Sequence, residues 1–241
     1  MEFDDTDNNG IGGSSIDDAI DIIDNITEDD DDDDDDEAIT PAEVLAQMTV
    51  AWQNELSAPV LLPHKYDLVD CILDQISGME ENIRNDRRKD SLKNAIHKME
   101  LYRIGFITND YIRERLKKIE KNPKRWINED DIRKAEEREE LLDPREKNFA
   151  KRFFNSTAAL MGSCFLDELP PGLRKIPIPD EDDIPTCVFI EVKEDGVGQV
   201  GVPDMSDPTA EILINLEQNS IHLIPYKSVA SLVEANSVLL L

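Results

Sequence analysis

The residue types that could do chemistry in this chain are few, and their spacing argues mostly against catalysis. Gly196, Gly198 and Gly201 match GxGxxG after a predicted strand, the pattern with which a backbone loop and a helix N-terminus hold a pyrophosphate. Pro203 and the Asp/Pro-containing residues 204–208 follow where that helix would begin, so the stretch reads as a loop between strands. His64, His97 and His222 stand far apart, without the paired spacing of metal ligands. Cys71, Cys164 and Cys187 form no CxxC pair and are odd in number, which suits reduced thiols in an intracellular compartment, read here as small core residues. Carboxylates abound, but no pair is marked out for acid–base work. No catalytic, cofactor-binding or metal-binding residue is assigned, and the chain is expected not to be an enzyme.

A second kind of chemistry is electrostatic. Arg113, Arg115, Lys117, Lys118, Lys121, Lys124 and Arg125 make a basic strip that could meet DNA phosphates or an acidic partner, or could be a solvated helix end. The rest of the charge runs the other way. The formal net charge is -28 over 241 residues. Residues 1–37 hold 18 acidic side chains and no Lys or Arg, leaving 36 acidic against 26 basic groups beyond them. Generic nucleic-acid binding by the whole molecule is therefore disfavoured, because phosphate contacts need a dense basic field. No basic start followed by an apolar run, and no stretch of membrane-spanning length, is present, which predicts a soluble chain not secreted by the usual route.

The elements that position these groups are mainly helical. Residues 99–121 read as one long spine helix, with Leu92, Ile96, Met99, Tyr102 and Phe106, then Tyr111, Ile112, Leu116 and Ile119, at three-and-four spacing. The middle of that helix is apolar on more than one side, so it needs more than one neighbour. Thr40-Pro41-Ala42-Glu43 predicts a capped helix start, with Leu45, Met48, Trp52 and Leu56 on its buried face. A second helix is expected over 66–85 with Val69, Ile72, Leu73, Ile76, Met79 and Ile83 inward. A charge-laced helix is expected over 129–141, and another from Asp143-Pro144-Arg145-Glu146, which repeats the capping logic, its face formed by Phe149, Phe153, Leu160 and Cys164.

The predicted organisation has four parts. Residues 1–39 are an acidic arm, expected to be disordered, in which Ile16, Asp17, Asp18, Ile20 and Ile23 have the pattern of a short amphipathic peptide that folds on a partner; a solvated tail is the alternative. Residues 40–166 form a helical bundle domain, 167–185 a proline-rich linker, and 186–241 a small β-rich domain. In the last, a strand over 186–192, a hairpin of 212–216 with 221–224, a short helix over 226–232 and a closing strand over 238–241 are expected. The fold class is mainly α with this small β-rich end.

Several stretches resemble one family. Arg103 to Ile107, Tyr111 to Glu120, Trp52-Gln53-Asn54-Glu55, Ala58 to Pro63 and His222 to Ala230 are similar, in order, to the Sld-five (Sld5) subunits of GINS, the four-protein assembly of eukaryotic DNA replication. The resemblance covers roughly 40–241 and implies a helical A domain followed by a β-rich B domain. It also implies a non-catalytic scaffold role in the nucleus: assembly with the three other GINS subunits, and with the Mcm helicase ring and the Cdc-forty-five (Cdc45) protein in the replicative helicase. Trp52, Tyr102, Phe106, Tyr111, Arg113, Arg115, Leu116 and Lys118 become subunit-interface or core candidates. Residues 15–24 resemble the peptide by which fungal members dock on the Ctf-four/And-one hub, with Ala19 in place of the first large apolar residue. The rival reading is a DNA-binding replication adaptor that uses the basic strip.

Overall fold

A computed structural model describes residues 40–85, 92–174, 186–194, 196–203 and 211–241. The compact body is Ile39–Leu241. The acidic arm with its peptide, the charged link at 86–90, and most of the proline-rich linker lie outside the described residues.

Three helices begin with the same local device, a short polar cap followed by proline. Proline at the first helical position costs nothing, since its missing N–H would have had no intrahelical partner. Helix α1 (Pro41–Ser57) opens on a complete capping box: Glu43 N–H donates to Thr40 Oγ1 at 3.3 Å, and Thr40 N–H donates to the Glu43 carboxylate at 2.8 Å. Helix α2 is Tyr66–Asn85 and α3 is Leu92–Lys121. Helix α4 (Pro123–Ala135) is capped by Asn122, whose Oδ1 accepts from Arg125 N–H at 3.3 Å. Helix α5 (Pro144–Cys164) is capped by the Asp143/Glu146 box.

Helix α4 corrects the expected 129–141 helix. Asn122-Pro123 starts a helix as well as ending the previous one, so Trp126 and Ile127 lie inside α4. The chain leaves helical geometry after Ala135, and Glu137 takes a left-handed φ of 55°.

The β part contains β1 (Cys187–Val192), β2 (Gly198–Pro203), β3 (Glu211–Leu216), β4 (Ile221–Pro225), helix α6 (Tyr226–Glu234) and β5 (Val238–Leu240). They form an antiparallel sheet ordered β4-β1-β5 and a separate antiparallel pair β2-β3. The expected 212–216/221–224 hairpin is not formed. The turn between these strands is tied to the end of β1 instead: Asn219 N–H donates to Val192 O at 2.8 Å, and Val192 N–H to Ser220 O at 3.1 Å. That pins β4 on β1 and leaves β3 to pair with β2. The glycine motif is likewise mostly strand, with Gly198 to Gly201 in β2 and left-handed φ values of 87° and 86° at Gly196 and Gly198 shaping the turn before it. Helix α6 ends in a Schellman motif, Ser237 N–H to Leu232 O and Asn236 N–H to Val233 O, both 3.1 Å, with Asn236 at φ 58°. The motif turns the chain straight into β5.

Among the described residues apolar burial falls into three clusters. Val44, Met48, Tyr66, Val69, Ile72, Ile107 and Tyr111 join α1, α2 and α3. Leu61, Ile119, Trp126, Leu141, Leu142 and Ala150 join the end of α3 to α4 and α5. Val188, Ile190 and Val192 on one face of β1, with Ile224, Val229, Val233 and Leu240, pack around Ala58 and Leu62 from the helical part. Thus the β part shares its core with the α1–α2 connection. The three cysteines, expected inside, are all exposed: Cys71 sits on the outer side of α2, while Cys164 and Cys187 occupy the last position of α5 and the first of β1.

Candidate subunit interface

Helix α3 carries every interface or core candidate except Trp52, which is in α1, and its two sides do different work. At about 100° per residue, positions seven apart fall nearly on one line. Asn94, Leu101, Thr108 and Arg115 form such a line and are all buried. Leu92, Met99 and Phe106 form another, roughly 200° around the helix, and are 77%, 70% and 58% exposed, with Ile96 and Tyr102 beside them at 58% and 76%. The exposed line continues as Arg113, so the apolar seam stops after Phe106. Three-and-four spacing had suggested these residues as inward; they are apolar but face away from the body's own cores.

The buried line ends in an ion cluster. Arg115, fully buried, uses all five of its N–H donors. Nε and Nη2 bind Glu146 in a fork at 2.8 Å each, Nη1 binds Glu55 at 3.0 Å and the Leu62 carbonyl at 2.7 Å, and Nη2 also binds the Leu141 carbonyl at 2.9 Å. Lys118 reaches Glu55 Oε1 at 2.7 Å and the Val60 carbonyl at 3.0 Å, and also contacts the Glu55 carbonyl. Two cations and two carboxylates therefore neutralise one another, and the guanidinium ties α1, α3, α5 and the loops at Leu62 and Leu141 together.

Burial works against the charge of Arg115, yet Glu146 and Glu55 hold its pKa above the ordinary arginine value. For Lys118 burial wins, and its pKa lies below the usual lysine range. Tyr66 donates to Glu146 at 3.3 Å, and burial followed by the Glu146 charge raises its phenol. Burial pushes the Tyr111 phenol up to about 12; its oxygen accepts from Lys65 N–H at 3.2 Å.

A second buried carboxylate organises the neighbouring loop. Asp130 accepts from Leu141 and Leu142 N–H, both at 3.1 Å, and from Lys147 at 2.7 Å. Burial opposes its ionisation, but these three donors outweigh it and hold the carboxyl below the usual range.

The remaining candidates are placed as follows. Trp52 is half-buried, donates its indole N–H to Asp110 at 3.0 Å, and meets Phe106 edge-on at 6.5 Å. Leu116 is half-buried, packed against the cluster of Leu61, Ile119 and Trp126. Arg113 is exposed and pairs with Asp110 at 3.2 Å. The basic strip does not survive as one surface. Arg115 and Lys118 are turned into the core, Lys117 pairs with Glu114, and Arg125 lies over the Trp126 ring at 5.1 Å. Among the described residues no group of three His, Cys, Asp or Glu side chains is placed to hold a metal ion; His222, for its part, lies 2.8 Å from Ser220 Oγ.

Sequence reasoning missed Glu55, Glu146, Asp130 and Asn54. Asn54 Oδ1 accepts Leu240 N–H at 2.8 Å and so fastens β5 to α1. Arg133 and Arg138 add a second fastening, reaching Glu234 of α6 at 2.7 and 3.3 Å. Glu146 was visible only as a capping-box partner. Asn54 and Glu55 were visible only as part of a recognisable stretch.

Comparison with known proteins gives two family matches. Residues 72–165 match a family described as the GINS complex protein helical bundle domain, and residues 182–241 one described as the DNA replication complex GINS protein SLD5 C-terminus. The chain is similar to the human protein named DNA replication complex GINS protein SLD5, 35% identical over 222 residues, covering 91% of this chain and 98% of that one. It is 36% identical over 206 residues to the Bos taurus protein of the same name (84% and 91% covered), and 28% identical over 208 residues to that of Arabidopsis thaliana (78% and 86%).

Proposed function

The chain belongs to the Sld5 family of GINS complex proteins, and from that premise we propose that it is a non-catalytic structural subunit whose exposed α3 seam docks on sister subunits. The observation that carries this reading is the line Leu92, Ile96, Met99, Tyr102 and Phe106, five large apolar side chains on one side of a helix, each more than half exposed. Fully burying such a side chain contributes about 1.5–3 kcal/mol, so covering these would supply on the order of 5–10 kcal/mol gross. Association costs about 4–15 kcal/mol. The seam alone therefore makes a weak complex, and a stable one needs further faces; exposed Leu160 and Phe165 at the end of α5 are available.

In this reading residues 40–166 act as the A domain, 167–185 as the linker and 186–241 as the B domain. The assembly joins the Mcm ring and Cdc45 in the nucleus. The peptide at Ile16, Asp17, Asp18, Ile20 and Ile23 serves the Ctf-four/And-one hub; a 12–26 peptide whose affinity is unchanged by Ile20→Ala and Ile23→Ala would remove that part. The DNA-adaptor alternative loses support from the inward turn of Arg115 and Lys118.

The test is co-expression with the three other GINS subunits. Met99→Glu with Tyr102→Glu should abolish co-purification while leaving the chain's own unfolding midpoint unchanged. Retained assembly would place the docking surface elsewhere.

A further inference from the structure

Of the 13 prolines in the chain, only Pro41 follows a serine or threonine. We propose that Thr40 is a phosphorylation site for a proline-directed protein kinase, and that its phosphate opens the capping box at the start of α1. Such kinases read a Ser or Thr in extended backbone with proline immediately after it. Thr40 is exposed and lies at φ -68°, ψ 151°, an extended conformation, directly before Pro41. The fixed φ of proline suits both an extended chain and a first helical turn, so presenting the site requires change only from ψ of Pro41 onward.

In the transfer, Thr40 Oγ1 attacks the γ-phosphorus of a nucleoside triphosphate. The new O–P bond forms as the bond to the bridging oxygen breaks, the nucleoside diphosphate leaves, and the hydroxyl proton passes to the kinase's carboxylate base. The product carries about -1.5 to -2 charges beside the Glu43 carboxylate. That carboxylate sits 2.8 Å from Thr40 N in the unmodified chain, and Glu43 N–H bonds the very oxygen that becomes an ester. The phosphate and the Glu43 carboxylate then lie side by side across the box and repel one another, and the run of acidic residues at 28–37 precedes them in the sequence. Glu43 is displaced. Val44 and Met48, the first buried side chains of α1, hold the rest of the helix in place. The switch is thus confined to the junction where the acidic arm meets the body.

The test treats the full chain with a proline-directed Ser/Thr kinase and ATP, maps the phosphate by mass, and follows amide exchange over 42–45. One phosphate at Thr40 is expected, absent in Pro41→Ala, which keeps the threonine cap. Exchange of the first-turn amides should rise about 3–10-fold on modification, the effect of losing an N-cap, and should not rise in phosphorylated Glu43→Gln, where the repulsion is gone. The proposal is overturned if Thr40 stays unmodified under conditions that fully label a Thr-Pro control peptide, if Pro41→Ala is labelled equally, or if exchange is unchanged or slowed in the phosphorylated chain.

Discussion

Replacing Arg115 with methionine removes a side chain that is fully buried and makes five hydrogen bonds. Methionine fills most of the space, so the loss is electrostatic. Glu55 keeps Lys118 at 2.7 Å. Glu146, 1% exposed, keeps only the Tyr66 hydroxyl and Asp143 N–H, each at 3.3 Å. Breaking a buried ion pair by deleting one partner costs about 3–5 kcal/mol. Orphaning the Leu62 and Leu141 carbonyls adds to this, about 1 kcal/mol or more each. The sum, on the order of 5 kcal/mol, compares with a total stability of about 5–15 kcal/mol and would lower the Tm by roughly 10–20 °C for a body of this size. Thermal and urea unfolding followed by circular dichroism at 222 nm measures it. The double variant Arg115→Met/Glu146→Leu removes the orphaned charge as well and should recover about 2 kcal/mol or more of the loss in a double-mutant cycle. A cost for Arg115→Met below about 1 kcal/mol, or costs that simply add, would refute the reasoning.

Asp130 supplies a pH dependence. Its folded pKa is lowered by Lys147 and two backbone N–H groups, so its contribution is present above the unfolded value near 4 and is lost as pH falls through the folded value. The stability gap between the wild type and Asp130→Asn should be full at pH 7 and shrink steadily below about pH 4. Asn54→Ala leaves Leu240 N–H without its side-chain acceptor; a loss of about 1–3 kcal/mol and faster amide exchange in β5 are expected.

The local signals in the chain were legible and the non-local ones were not. Thr40-Pro41-Ala42-Glu43 and Asp143-Pro144-Arg145-Glu146 place two helix starts because a cap and its partner lie within four residues. Arg115 looked like one cation in a row of cations, because its partners Glu55 and Glu146 are 60 and 31 residues away. Spacing on α3 identified which residues share a line but not which line faces the body. Leu92, Met99 and Phe106 have the same periodicity as the buried series, roughly 200° away around the helix. The pairing of β4 with β1 was hidden for a similar reason: the turn between 216 and 221 fixes the reversal, whereas the tether to Val192 that chooses the partner strand is a tertiary contact. The stretches that resemble the family include Asn54, Glu55, Ala58, Leu61, Leu62 and Arg115, all buried, so part of what is recognisable builds the ion cluster and the seat of the β part.

The central claim is that this chain is a stoichiometric partner in a four-subunit complex held in part by the α3 seam. Its most direct test is the mass, by light scattering after size exclusion, of the chain co-expressed with the three other GINS subunits. One species containing a single copy of each is predicted. A folded, monodisperse chain eluting alone beside a complex of the other three would contradict it.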